Sequence, residues 1–184
     1  ENKANSIRAS NSIAARVEAV EEGCESRLIR TAWAGRAAQI QISNVLSTDT
    51  GTVNNQLLHN IVEQACELMK LGKQVIIVSS GAGICGVGAI NKWERRGDIN
   101  YKQALCAIGQ VELMMAYKEY FADFDVHVAQ MLLTREDFND PTRTLNIRNT
   151  LFTLVDEGVV PIINENDSVS VEEIKIGDND TLSA

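Results

Sequence analysis

Three apolar runs of strand length limit the folds open to this chain more than any other feature of its sequence. The runs are QVIIVSS (74–80), VHVAQMLLT (126–134) and VVPIIN (159–164). The first is apolar at consecutive positions, which is typical of a strand that is covered on both faces of its sheet. Such a strand belongs in a sheet whose connections are helices, so helices should lie between these runs.

Segments with helical spacing of apolar residues do separate the runs. They cover residues 54–70, 102–121 and 142–158. Gly72 and Gly158 stand where a glycine commonly closes a helix. QIQISNVL (39–46) alternates and adds one further candidate strand. Strands and helices in alternation predict an α/β fold with a largely parallel sheet, in which ligands bind beyond the carboxyl ends of the strands.

Residues 1–36 differ from the rest of the chain. They are rich in Ala, Ser, Arg and Glu, and their apolar residues complete only part of one helical face. We therefore predict a helix or a poorly ordered extension over 1–36, packed loosely enough for proteases to cut there first. Residues 37–184 are predicted to form one domain.

Composition and charge exclude several classes of protein. With 45% hydrophobic residues, the 184-residue chain can build a core and is too apolar to be disordered. A net charge of -8 argues against a nucleic-acid binder, which needs a basic face. No run of 18 apolar residues occurs and the N-terminus has no apolar signal-like core, so we expect a cytoplasmic protein that does not enter a membrane.

The residue types that commonly bind metals are scattered. Cys24, Cys66, Cys85 and Cys106 include no C-x-x-C pair, and the two histidines stand far apart. We interpret the cysteines as buried thiols of a reducing compartment, and we expect no metal site built from them.

A glycine-rich segment, VSSGAGICG (78–86), follows the first apolar run and contains G-x-G-x-x-G at Gly81, Gly83 and Gly86. A dinucleotide fingerprint would need an acidic residue at the end of a second strand, and a P-loop would need a lysine after the glycines. Neither is present. Two interpretations remain open: serine hydroxyls and backbone amides that face a small anionic ligand, or glycines that only permit a tight turn.

Polar residues follow the last apolar run directly. Asn164, Glu165, Asn166 and Asp167 supply amide donors, amide acceptors and carboxylates, a set that can hold both the ammonium and the carboxylate of one ligand. The GDND segment at 177–180 repeats this theme. Helix capping and a Mg²⁺ site are the alternatives for that second segment.

Six motifs occur in order between residues 53 and 184. They are VSSGA, KQALCAIGQ, AQMLLTREDF, LNIRNTL, VVPIINENDSV and EIKIGDNDTLSA. The chain thereby resembles the amino acid kinase family and, within it, the glutamate 5-kinases, because PIINEND with GDNDTLSA separates that group from aspartate, acetylglutamate and carbamate kinases. The resemblance implies a three-layer αβα sandwich. It also implies ATP-dependent phosphorylation of the γ-carboxylate of L-glutamate, the first step towards proline.

The resemblance also implies partners and residue roles. ATP and Mg²⁺ are the expected cofactors, proline is the expected feedback inhibitor, and a homo-oligomer is the expected assembly. Ser80, Asn164, Asp167 and Asn179 match glutamate-binding positions, with Asp167 on the substrate ammonium. Asp180 matches the aspartate that positions catalytic lysines.

Two departures from the family pattern limit this interpretation. The family has a strand-ending lysine and a Gly–Ser loop for the ATP phosphates, whereas this chain has Ile40 and then Ile42, Ser43 and Asn44. The family's nucleotide-binding Thr-Asp segment and second lysine lie beyond Ala184. We therefore expect the glutamate-binding half of a kinase. A non-catalytic module that senses glutamate or proline, and a kinase of another acidic metabolite, remain as alternatives.

Overall fold

The computed structural model describes residues 53–91 and 97–170 in full, and the backbone of 29–34 and 37–42. The strands are β1 (Ile29–Ala34), β2 (Ala37–Ile42), β3 (Gln74–Val78), β4 (Val128–Leu133) and β5 (Val160–Glu165). The helices are α1 (Asn55–Lys70), α2 (Ala82–Ile90), α3 (Ile99–Ala122) and α4 (Pro141–Asp156), with a 3₁₀ turn at Arg135–Phe138. The three apolar runs are strands and the three helical segments are helices, as the sequence predicts.

The five strands form one sheet in the order β1-β2-β3-β5-β4. Every neighbouring pair is parallel except β1 with β2, which is antiparallel. Because the chain places β5 between β3 and β4, the segments that leave β3 and β5 become neighbours at one edge of the sheet. Parallel open sheets bind their ligands at such a point.

The sheet is covered on both faces, which gives the three layers that the family resemblance implies. On one face, Val75 and Ile77 of β3 join a core with α1 and α3. On the other face, Val78 of β3 and Ile163 of β5 pack with partly buried residues of α4. Alternate residues of β3 thus enter opposite cores, which is why this strand is apolar at consecutive positions.

Side chains that satisfy backbone groups fix the ends of the long helices. The Asn54 side chain accepts a hydrogen bond from the Leu57 amide at 3.1 Å, and Asp98 accepts one from the Tyr101 amide at 3.2 Å. Asp140 caps α4, whose first residue is Pro141. These are the residue types that begin helices, because the first amides of a helix have no partner within it.

Strand β1 lies inside the segment predicted as a helix or a poorly ordered extension, so the prediction was wrong for residues 29–34. Ile29, Thr31 and Trp33 alternate along it, and β-branched and aromatic residues at a period of two favour a strand. The weak helical pattern of the preceding residues therefore does not extend into residues 29–34. Residues 1–28 lie outside the described residues, so the domain boundary at 36 stays a prediction.

Helix α2 is the second element that the sequence analysis missed. It begins at Ala82, directly after Gly81, whose φ of 99° lies in the left-handed region that glycine tolerates best. A Cβ at Gly86 would overlap the backbone of Leu105, and one at Gly109 would overlap the backbone of Ala82. The two glycines therefore let α2 and α3 pack backbone to backbone, which a helical pattern in α2 alone cannot indicate.

The described ranges 53–91 and 97–170 hold no helix of the length and apolar character that crossing a bilayer requires.

Candidate functional site

The candidate site lies where β3 and β5 end side by side. Val78 pairs with Ile163, so Ser79 and Asn164 are the next residues on the two strands. The Ser79 amide donates to the Ile163 carbonyl at 2.8 Å, and the Asn166 amide donates to the Leu133 carbonyl of β4 at 2.8 Å. The loops that follow β3 and β5 therefore meet at one edge of the sheet, and the Asn166 amide bonds to the end of β4.

Two of the three polar segments that the sequence analysis describes are thus at the same edge of the sheet. They are Ser79–Gly83 and Asn164–Ser168. The third loop, 177–180, lies outside the described residues together with Asn179 and Asp180. That Ser80, Asn164, Asp167 and Asn179 line one pocket stays a prediction.

The paired serines at the end of β3 have different surroundings. Ser79 is fully buried, and its hydroxyl accepts a hydrogen bond from the Tyr117 hydroxyl of α3 at 3.0 Å. Burial raises the pKa of Tyr117, so this phenol stays protonated and remains a donor. Ser80 is only half-buried. Of the two serines, Ser80 is therefore the more accessible, and its contact with a ligand stays a prediction.

Asn164 is held on both sides of its amide group. Its Oδ1 accepts from the Glu165 amide at 2.9 Å, and its Nδ2 donates to Oε1 of Gln110 on α3 at 2.8 Å. The residue is only 2% exposed. Asn164 therefore fixes the end of β5, whether or not it also contacts a ligand.

Asp167 is a half-buried carboxylate at this edge of the sheet. Burial raises its pKa, and the Cys106 thiol donates a hydrogen bond to it, which acts in the opposite direction. Burial, and then the charge and the hydrogen bond of Asp167, raise the pKa of Cys106 to about 12. Cys106 is therefore a neutral thiol near pH 7 and can act as the donor.

The sequence analysis did not connect Cys106 or Gln110 with the site. Both lie inside KQALCAIGQ, where the apolar pattern indicates only a buried helix. Cys106 also faces α2, because a Cβ on Gly83 would lie 3.2 Å from its Sγ. The available signal was their spacing: residues four apart on a helix share a face and can contact the same neighbouring segment.

A cleft of about 570 Å³ lies beside this edge, between α3 and β4. Its walls are mainly apolar and include Val111, Met115 and Leu132, with Gln110 and Ser168 at the side of the site. Neither Ser80 nor Asp167 lines it. Among the described residues that the sequence analysis assigns to glutamate binding, none lines this cleft.

Comparison with known proteins places this architecture in a family. The family model described as "Amino acid kinase family" matches residues 14–184. The chain belongs to the amino acid kinase family. The polar edge at the carboxyl ends of β3 and β5 is where this sheet topology favours ligand binding.

Several curated relatives of this chain share one name. The chain is 66% identical over 142 residues to "Glutamate 5-kinase" of Alkaliphilus metalliredigens (strain QYMF), covering 77% of this chain and 54% of that relative. It is 46% identical to the protein of that name from Clostridium acetobutylicum, covering 77% of this chain and 53% of the relative. For the Dictyoglomus thermophilum protein the values are 45% identity, 83% and 41%. The chain spans about half the length of these relatives.

The charges at this edge of the sheet indicate which kind of ligand group the edge favours. Asp167 is half-buried, and a carboxylate repels the oxygens of a nucleotide phosphate. In β2, Ile40 stands where the resemblance leads us to expect a lysine. The charge of Asp167 therefore favours a cationic group over a phosphate at this edge of the sheet.

Proposed function

We propose that this chain is the acceptor-binding part of a glutamate 5-kinase. In the proposed reaction, a γ-carboxylate oxygen of L-glutamate forms a bond to the terminal phosphorus of ATP, the P–O bond to ADP breaks, and glutamyl 5-phosphate results. The observation that supports this best is the half-buried carboxylate of Asp167, whose pKa is raised by burial, at the edge shared by β3 and β5. The name shared by the relatives adds the substrate.

Asp167 has the properties that an ammonium-binding carboxylate needs. Burial disfavours its charged form, and the only described group that donates to it is the neutral Cys106 thiol. A ligand ammonium would offset that loss of hydration by a charge-assisted hydrogen bond. The Asp167 carboxylate can therefore bind a cationic group of a ligand, which none of the described residues supplies to it.

The remaining roles follow the resemblance. Ser80 donates its hydroxyl to a glutamate carboxylate, and Asn164 and Asn179 contribute amide donors. Asp180 orients lysines on the nucleotide side. ATP with Mg²⁺ supplies the phosphoryl group and neutralises its charge, which is the larger part of catalysis in phosphoryl transfer. The same assignment implies proline as an inhibitor, a homo-oligomer, and a place in the cytoplasm.

A coupled assay of ATP consumption tests this proposal. Of the three acceptors, L-glutamate should support any ATP turnover at least tenfold better than L-aspartate or N-acetyl-L-glutamate, which are shorter or lack the ammonium. Turnover of acetylglutamate at the rate of glutamate would contradict the assignment of Asp167. Equal turnover of aspartate would point to a kinase of another acidic metabolite.

One observation favours a second function, a non-catalytic sensor of glutamate or proline. Ile40 lies in β2 at the position expected for a lysine, and phosphoryl transfer depends on such cations. A sensor would bind L-glutamate and L-proline in competition and consume no ATP. Calorimetric competition between the two amino acids, run beside the ATP assay, separates the sensor from the kinase.

A further inference from the structure

Four polar residues of α3 lie on one stripe of the helix, and each bonds to a segment at the edge of the site. At 100° per residue, Gln103, Cys106, Gln110 and Tyr117 fall within about 60° of one another around the helix. Gln103 donates to the Ser170 carbonyl at 3.3 Å, and Tyr117 donates to Ser79 at 3.0 Å. Cys106 donates to Asp167, and Gln110 accepts from Asn164.

Hydrogen bonding fixes the orientation of Gln110 step by step. The Glu165 amide can only donate, so the Asn164 atom beside it is the acceptor Oδ1. This turns Nδ2 of Asn164 towards Gln110, so the Gln110 atom that meets it at 2.8 Å is Oε1. Nε2 of Gln110 is then directed elsewhere, and it has no hydrogen-bond partner among the described residues.

An unpartnered donor at this depth lowers stability, because its hydrogen bonds to water are lost and not replaced. Gln110 is only 7% exposed. Methionine has nearly the same shape and no polar group to satisfy, so it would pack here at no such loss. What distinguishes Gln110 from other buried glutamines is its partner: it accepts from Asn164 at the end of β5, whereas Gln64 donates to Asn60 of its own helix.

We propose that Gln110 is a positioning residue, which holds Asn164 and thereby the loop 164–170 in the geometry that the site requires. Gln103 and Cys106 hold the same loop further along, at Ser170 and Asp167. The inference rests on the proposed function for the identity of the ligand. The structural part of the inference, that α3 holds the loop 164–170 in place, does not depend on the identity of the ligand.

Three variants of the whole chain test the inference. Gln110→Met removes both polar atoms, and Gln110→Glu keeps an oxygen that accepts from Asn164 and removes the unpartnered N–H. Gln64→Met is the matched control. Gln64 is 5% exposed and its Oε1 has no partner in the described part of the chain, but its Nε2 donates only to Asn60 of its own helix at 3.2 Å.

The first measurement is amide hydrogen exchange under native conditions, together with thermal unfolding. In Gln110→Met, we expect the Glu165 amide to exchange about tenfold faster, the size expected for loss of one hydrogen bond. The midpoint of unfolding should stay level or rise, as in Gln64→Met. Gln110→Glu should keep the exchange rate within a few-fold of the parent.

The second measurement is calorimetric titration with L-glutamate. We expect about tenfold weaker binding in Gln110→Met, parental binding in Gln64→Met, and at least partial recovery in Gln110→Glu. The proposal is overturned if Gln110→Met leaves exchange at Glu165 unchanged, if its unfolding midpoint falls in step with its affinity, or if Gln110→Glu behaves like Gln110→Met. If the parent itself binds no glutamate, the proposed function fails, while the exchange data still decide the role of Gln110.

Discussion

Burial of the Asp167 carboxyl lowers the stability of the folded protein wherever this group is ionised. This carboxyl is more costly to ionise in the folded protein than in the unfolded chain, because burial raises its pKa. The folded state therefore holds this proton to higher pH than the unfolded state does. The unfolding free energy falls as the pH rises from the unfolded pKa, about 3.9, through the folded one, and the loss is complete above that window.

Replacing Asp167 with asparagine should remove this loss. We expect Asp167→Asn to be more stable than the parent at neutral pH and to show a flatter dependence of stability on pH above about 4. Urea denaturation at several pH values checks this. A variant that is less stable than the parent at pH 7 and equally dependent on pH would show that Asp167 acts as a structural ion pair.

The pairing of Asp167 with Cys106 gives a chemical prediction. Because the carboxylate raises the pKa of Cys106, Asp167→Asn should lower it and increase the reactive thiolate. Alkylation by iodoacetamide at pH 8 should then accelerate, by roughly tenfold for each unit by which the pKa falls. Peptide mapping can follow Cys106 beside Cys66, whose pKa of about 11 comes mainly from burial. Equal rates at Cys106 in parent and variant would contradict the hydrogen bond.

At the scale of elements, the sequence predicted well wherever the signal is local. The apolar runs predicted β3, β4 and β5, and helical spacing predicted α1, α3 and α4. Gly72 and Gly158 take left-handed φ values of 76° and 73° at helix ends. The sequence prediction failed for α2, whose residues AGICGVGAI include three glycines. Gly83 and Gly86 are required by the close approach of α3, and the left-handed Gly81 precedes the helix, so a helical apolar pattern does not reveal these requirements. The prediction failed for β1 because an adjacent weak helical pattern obscured six alternating residues.

The close contact between α2 and α3 predicts that Gly109→Ala destabilises the protein, although helix propensity alone predicts the opposite. Alanine in place of a helical glycine favours a helix by about 1 kcal/mol. In Gly109→Ala, however, the new Cβ would overlap backbone atoms of Ala82 and Gly86, which cannot rotate away. We expect a loss of about 3 kcal/mol in urea denaturation.

Gly97→Ala is the control for Gly109→Ala. A Cβ at Gly97 would have nothing within 4 Å, and its φ is not in the left-handed region. This variant should unfold within about 0.5 kcal/mol of the parent. A Gly109→Ala protein as stable as the parent would mean that α2 and α3 lie further apart than described.

At the scale of the whole molecule, the site results from topology rather than from any one motif. Ser79 and Asn164 are 85 positions apart, and insertion of β5 beside β3 makes them neighbours. The sequence could place polar residues at strand ends, since the strands are locally encoded. The sequence could not indicate that Cys106 and Gln110 contact these loops. The distance from either side chain to the loops depends on how α3 packs across the sheet.

In the proposed function, Asp167 holds the ammonium of a glutamate ligand at this edge. Titration calorimetry of L-glutamate with the parent, Asp167→Ala and Glu119→Ala tests it most directly; Glu119 is an exposed carboxylate elsewhere on α3. Loss of one partner of a desolvated charge pair is worth about 2–5 kcal/mol, or roughly 30- to several-thousand-fold in affinity. We predict a loss of that size in Asp167→Ala and parental binding in Glu119→Ala. Parental affinity in Asp167→Ala would contradict the account.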